Sequence, residues 1–312
     1  MVAPHRIDTH THIVPPDYGA WLRRRGADAG GLLIPDWSVD AALEVMDERK
    51  VRAAIVSVST PGVHFGDDRE ARDMARAVNE YAANVVRKHP DRFGFFATLT
   101  LPDIDGSLAE LAYAFDTLKA DGVILLANTR GEYLGAPSQA PLFDELNRRR
   151  AAVFIHPAQL PGPAVPDVPP YAVDFLLDTT RAAIRLVKSG TTQRCPNINV
   201  ILSHAGGFVP YAAHRIAVTT SPTDVGGGLA QLKRFYYDVA LSSSPAALPS
   251  LLAFAAPDHV FFGSDWPHAP KQVGGLFESM YESYPLSESQ RKSIDRGAAE
   301  KLFPRFAAAS DR

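Results

Sequence analysis

The opening stretch HRIDTHTHIVPP places His10 and His12 one residue apart, directly after a short β-type run from Arg6 to Thr9. In a strand, residues i and i+2 project from the same face, so two imidazoles at this spacing point to one spot and can begin a chelate. Three later stretches carry groups of matching chemistry. AVFIHP puts His156 at the end of an apolar run, INVILSHAGG does the same for His204, and VFFGSDWP for Asp265. Singly, a histidine ending an apolar run is more often a hydrogen-bonded structural residue, and an aspartate before Trp-Pro an N-cap or turn former. Jointly, such groups at the ends of four separate runs point to a metal site.

Three neutral imidazoles and one carboxylate suit a borderline divalent cation, zinc first, with manganese or iron as alternatives. The expected ligands are His10, His12, His156 and Asp265. A second ion would need a bridging anionic side chain, and the run VILLANTRG ends without lysine or glutamate, so one cation is expected. His204 then serves as a proton carrier beside it, since an imidazole with a pKa near about 6.5 can take and return a proton. Gly206 and Gly207 are expected to let a substrate approach the backbone closely. His268, three residues past Asp265, is a candidate for the pocket wall. His5, His64, His89, His214 and His259 are expected to be structural or solvated.

Groups so far apart in sequence need a scaffold that gathers them. Apolar β-type runs lie at Ala53 to Val58, Phe93 to Leu99, Val123 to Ala127, Ala152 to Ile155, Ile198 to Leu202, Phe235 to Val239 and Val260 to Phe262. With the opening run they make eight, and helical stretches separate them: Val39 to Arg49, Arg69 to Lys88, Ser107 to Ala120, Pro141 to Arg150, Val173 to Ser189, Pro210 to Ala217 and Ala246 to Ala255. Several runs are continuously apolar, the mark of parallel strands covered on both faces. The first strand lacks the G-x-G-x-x-G turn of a dinucleotide-binding sheet, so the alternation predicts a distorted TIM-type (β/α)8 barrel in one domain spanning 1–312. In that fold the C-terminal ends of the strands form one rim, where the four groups would meet. Ile13 to Trp37 is too long for an ordinary connection and reads as an insertion over the first strand. Gln159 to Tyr171 is a second, proline-rich and exposed. Ser287 with Gln290 predicts a capping box opening a last helix through about Phe303.

Composition limits the partners. The 312 residues are 46% hydrophobic and 21% charged, with a net charge of −3. Basic residues are scattered apart from Arg23–Arg25, so no broad positive field for nucleic acid is expected. The single cysteine, Cys195, excludes an internal disulfide and fits a reducing compartment, the cytoplasm. No apolar stretch approaches the roughly 20 residues of a membrane span, and no signal-peptide core precedes the first strand.

HRIDTHTHIVPP, VFIHP, SHAGG and FGSDWP, in that order, resemble the amidohydrolase superfamily, specifically its aminocarboxymuconate semialdehyde decarboxylase branch. The resemblance implies one metal held by His10, His12, His156 and Asp265, and an acid-base role for His204. It also implies nonoxidative decarboxylation of a ring or enol carboxylate. The stretch PPYAVDFLLDTTRAAIRLV is similar to the 6-methylsalicylate decarboxylase type. In the namesake an arginine after the sixth strand reaches the neighbouring subunit's pocket; Arg215, in GFVPYAAHRIA, stands at that place, which implies a homodimer. The namesake's other carboxylate-binding arginine falls where this chain has the apolar GGLLIPDW. An aromatic monocarboxylate is therefore expected rather than a dicarboxylate, with Leu32, Leu33, Trp37 and Trp266 as candidate walls. Two rival readings are hydrolysis of a lactone, ester or amide with Asp265 or His204 as base, and a noncatalytic barrel binding a small ligand.

Overall fold

The computed structural model describes residues 5–307. Eight strands form one sheet in sequential order: β1 (Arg6–His12), β2 (Val51–Ser57), β3 (Phe93–Thr98), β4 (Gly122–Leu126), β5 (Ala152–His156), β6 (Asn199–Leu202), β7 (Tyr236–Asp238) and β8 (Val260–Phe261). Each neighbouring pair is parallel. The last strand returns to the first. Thr9 N donates to Phe262 O at 3.1 Å, and Ser264 N and Asp265 N donate to His10 O at 3.1 and 2.8 Å. These bonds close the eight strands into the expected TIM-type barrel.

The inward residues fill the barrel. Ile7, Ala53, Ile55, Phe96, Ile124, Phe154, Ile201 and Phe261 form one interior cluster, and Ala298, Ala299, Phe303 and Phe306 plug its lower end. A separate, larger cluster lies between the strands and the surrounding helices. Burial of each large apolar side chain contributes roughly 1.5–3 kcal/mol, so both layers favour closure. Arg6 ties the lower end together: its buried guanidinium donates to Glu278 at 2.7 Å, to Asp295 at 3.1 Å and to Glu282.

One irregularity decides where the chemistry sits. Strict alternation would put Ile7 on one face of β1 and His10 and His12 on the other, yet Ile7 belongs to the interior cluster and the His10 ring lies 4.9 Å from interior Phe154. The pairing of β1 with β2 shifts register between Asp8 and Thr11. One extra residue in a strand moves every later side chain to the opposite face. Both histidines thereby turn into the barrel.

The capping box at Ser287 and Gln290 is present, and helical structure runs on to Leu302. Three helices of nine residues or more were not foreseen, nor was the short turn of helix at Thr191–Arg194. Pro16–Arg24 lies inside the insertion, burying Tyr18, Trp21 and Leu22, with Pro16, Asp17, Arg23 and Arg24 supplying ordinary end signals. Val225–Lys233 forms despite three consecutive glycines, capped by Asp224. Lys271–Ser283 follows β8 and carries Glu278 and Glu282, two of the three carboxylates that receive Arg6. The second insertion, Gln159 to Tyr171, is largely exposed as expected, and it runs into a single helical turn at Pro170–Ala172. Among the described residues, no helix is long and apolar enough to cross a membrane.

Candidate active site

His10, His12, His156, His204 and Asp265 converge at the upper rim, all of them buried. Ring centroids are 5.1 Å apart for His10 and His12, 4.8 Å for His12 and His156, and 4.8 Å for His10 and His204. Donor atoms of His10, His156, His204 and Asp265 all lie within 4.8 Å of one another. His12 joins them through Asp265, whose Oδ1 is 3.0 Å from His12 Nε2 and 3.3 Å from His10 Nε2.

The outer nitrogen of each ring fixes what the inner one presents. A carbonyl oxygen can only accept, so Nδ1 of His12 donates to Ser57 O at 3.2 Å, that of His156 to Pro157 O at 2.9 Å, and that of His204 to Ala240 O at 3.1 Å. His10 Nδ1 donates to Asp238 Oδ2 at 2.9 Å. Each Nε2 therefore turns a lone pair inward. His10 Nε2 and His156 Nε2 are buried without a hydrogen-bond partner. At His12 a lone pair faces a carboxylate oxygen, acceptor against acceptor, which is stable only with a cation between them. Burial opposes charging His10, but Asp238 and Asp265 outweigh it and push its pKa up to about 10. Burial likewise opposes charging Asp265, yet the His10 and His12 rings beside it hold it well below the usual carboxylate range. Burial keeps His12, His156 and His204 below the ordinary imidazole value. Such a centre demands positive charge and offers nitrogen and oxygen lone pairs to receive it. The residues fit one divalent cation.

Asp238, at the end of β7, escaped the sequence reading. Its carboxylate accepts from three donors: His10 Nδ1, His204 N at 3.1 Å and Ala240 N at 2.9 Å. The run Phe235 to Val239 carries this aspartate near its C-terminal end, the same signal that marks His156, so it was available. Asp8 is also buried, and accepts from His10 N at 3.0 Å and Ser264 N at 3.2 Å, fastening β1 to the end of β8.

Above the cluster lies a cavity of about 340 Å³. His156, His204, Asp265 and His268 form its polar side, while Leu32, Phe175, Leu176, Leu241, Val273 and Phe277 are apolar walls. Among the described residues, no lysine or arginine lines it. His268 faces it as expected, with a pKa lowered by burial to about 3.

Several expected wall residues stand elsewhere. Trp37 is buried beside Tyr81, ring centroids 6.2 Å apart, at the start of the helix after the insertion. Trp266 packs its ring on the outer core and contributes backbone instead, its carbonyl accepting from His12 N at 2.7 Å and Thr11 Oγ1 at 3.0 Å. Leu33 is exposed to 91%. Arg215 is exposed on the helix Val209–Thr220 and does not reach this chain's cavity. The glycine pair serves packing rather than substrate approach. A Cβ at Gly206 would lie 2.6 Å from Tyr237, and one at Gly207 2.1 Å from the Leu176 carbonyl oxygen.

A closed barrel with this cluster on its rim places the chain in a definite class. The sequence profile of the amidohydrolases matches residues 7–305, and the chain belongs to that family. More particularly, it is 38% identical over 319 residues to 6-methylsalicylic acid decarboxylase of Penicillium expansum, covering 98% of this chain and 98% of that one. Decarboxylase yanB of Aspergillus niger is 38% identical over 98% of this chain and 89% of its own length. Among solved structures, an amidohydrolase II superposes with a TM-score of 0.90 at 31% identity, covering 96% of this chain and 99% of that one.

Proposed function

We propose that this chain is a metal-dependent carboxy-lyase that removes carbon dioxide from an ortho-hydroxy aromatic acid resembling 6-methylsalicylate. The observation that carries the reading is the cavity: apolar walls, no lysine or arginine lining it among the described residues, and a floor of inward lone pairs. A carboxylate can be received there only at the floor. The relatives named decarboxylases match over nearly the whole chain, which supports the same chemistry here.

His10, His12, His156 and Asp265 would hold one divalent cation, zinc by our assignment, which supplies charge stabilisation for a carboxylate and its neighbouring oxygen. The remaining work belongs to the protein. Phe175, Leu176 and Phe277 orient the ring and exclude water, so electrostatic interactions at the floor act in a low dielectric. His204 Nε2, held toward the floor by the Nδ1 bond to Ala240, takes a proton and delivers it to the ring carbon as the carbon–carboxylate bond breaks. The bonding electrons stay on that carbon, carbon dioxide leaves, and the incoming proton completes the new C–H bond. Asp265 is the second candidate for moving that proton.

We further assign the protein to the cytoplasm as a homodimer, with the exposed Arg215 of one copy directed to the cavity of the other. Light scattering of purified protein checks the dimer.

The decisive assay incubates metal-loaded protein with a panel of salicylates and measures carbon dioxide. Release from at least one member, reduced about 10²- to 10⁴-fold by His204→Asn with the bound metal retained, is expected. Hydrolytic turnover of lactones or esters without carbon dioxide would overturn the proposal, as would silence across the panel.

A further inference from the structure

The imidazole cluster and its anchors account for every histidine in the cavity except one. His268 enters from the turn after Asp265, and its ring centroid lies 5.1 Å from that of His12. Its Nε2 is 2.8 Å from Ser59 Oγ, in the segment after β2. Its Nδ1 is buried with no hydrogen-bond partner. Both residues line the cavity.

The direction of the Ser59 contact follows from its neighbour. Ser59 Oγ also lies 3.4 Å from the Thr60 carbonyl oxygen, which can only accept. The serine has one proton, and both contacts are satisfied together in a single arrangement. Ser59 donates to Thr60 O, and His268 Nε2–H donates to Ser59 Oγ. His268 Nδ1 then carries a bare lone pair with no partner, on a residue that lines the cavity together with the apolar Leu32, Val273 and Phe277. A buried acceptor in apolar surroundings recognises one kind of partner, a hydrogen-bond donor.

We infer that His268 is a specificity-determining residue whose Nδ1 accepts a hydrogen bond from a ring hydroxyl of the substrate, with Ser59 as the positioning residue that fixes its tautomer. The inference rests on the aromatic hydroxy acid reading given above. It adds a rule of selection. A hydroxyl bonds to the lone pair, whereas a methyl ether or a bare C–H leaves it unpaired and a second carboxylate is repelled by it. A site built to bond a substrate hydroxyl discriminates against the analogue lacking it far more strongly than an apolar wall can.

The test measures binding by calorimetry to the metal-loaded protein, using salicylate, 2-methoxybenzoate and benzoate. Wild type is expected to prefer salicylate over 2-methoxybenzoate by about tenfold or more. His268→Phe, which keeps the ring volume, should cut that ratio by about fivefold or more while moving benzoate affinity less than about threefold. Ser59→Ala should shift the ratio the same way by less, because the imidazole remains but its tautomer is freed. If His268→Phe loses its fold or its metal, the Ser59→Ala ratio decides. A salicylate preference unchanged within about twofold in the variants, or no binding of any of the three by wild type, overturns the inference. Carbon dioxide release is followed on the same samples. Its absence there and across the salicylate panel would overturn the decarboxylase reading, while the binding ratio would still judge the role of His268.

Discussion

Replacing Asp238 by asparagine should disable the metal centre without touching a ligand. The carboxylate receives three donors, Nδ1 of His10 on one oxygen and the backbone N–H groups of His204 and Ala240 on the other. Asparagine has one acceptor and one NH2, so whichever way it lies, its NH2 meets a group that is itself a donor. Keeping the oxygen on the two backbone groups is favoured, since it preserves two bonds. The NH2 then donates to His10 Nδ1, which must give up its proton, and His10 Nε2 takes it instead. The inward lone pair is gone. Losing an outer partner of a metal-binding histidine weakens affinity by about 10- to 100-fold, or roughly 1.4–2.7 kcal/mol. The tautomer change places Asp238→Asn at the upper end of that range. The assay strips the protein with chelator, titrates zinc and manganese against a competing indicator, and checks the fold by circular dichroism. A folded Asp238→Asn protein whose metal affinity stays within about threefold of wild type would refute the argument.

Three other outcomes follow from the same structure. Saturating a stripped sample with metal at about 100 times its Kd should stabilise the fold by about 2.7 kcal/mol and raise Tm by about 5 °C or more, as read in a thermal melt. Gly207→Ala should destabilise by about 2–5 kcal/mol in a urea titration, because φ is +62° there and the new Cβ would stand 2.1 Å from the Leu176 carbonyl oxygen. A loss under about 1 kcal/mol would mean that the turn after His204 relaxes freely. Arg6→Met should cost about 3–5 kcal/mol in the same titration, since it removes the charge partner of Asp295 and Glu278 and leaves buried Asp295 with only Tyr281 and His5 among the described residues.

The sequence displays the barrel because its signals are local. Continuous apolar runs such as Phe93 to Leu99 mark strands whatever surrounds them, and the observed strand there, Phe93–Thr98, ends one residue earlier. His156 and Asp265 were legible for the same reason, each a polar residue ending such a run. Trp37 and Trp266 were not, because an aromatic near a site can face the cavity or the core, and only packing against Tyr81 or the outer layer decides. The helix Val225–Lys233 was hidden by glycines whose low propensity is outweighed by packing. The shift between Asp8 and Thr11 has no signature in residue type. His10 and His12 share a face under any register, which is why the pair could be read while the face it points to could not.

Asp238 ties together two functions that the motifs treat as separate. Its Oδ2 orients the ring of His10, a proposed ligand, and its Oδ1 holds the backbone of His204, the proposed proton carrier, in a left-handed conformation with φ of +52°. Asp265 stands in the same unusual region at +58°. Non-glycine residues keep such angles only where surrounding bonds outweigh the strain, of order 1–3 kcal/mol each. At His204 those bonds are the Asp238 contact and the Nδ1 bond to Ala240, whose own N–H also reaches Asp238. One carboxylate on β7 therefore orients the proposed ligand and the proposed proton carrier together. A defect there should lower metal affinity and proton delivery in step, whereas a change at Ser57, which touches only the His12 ring among these groups, should separate them.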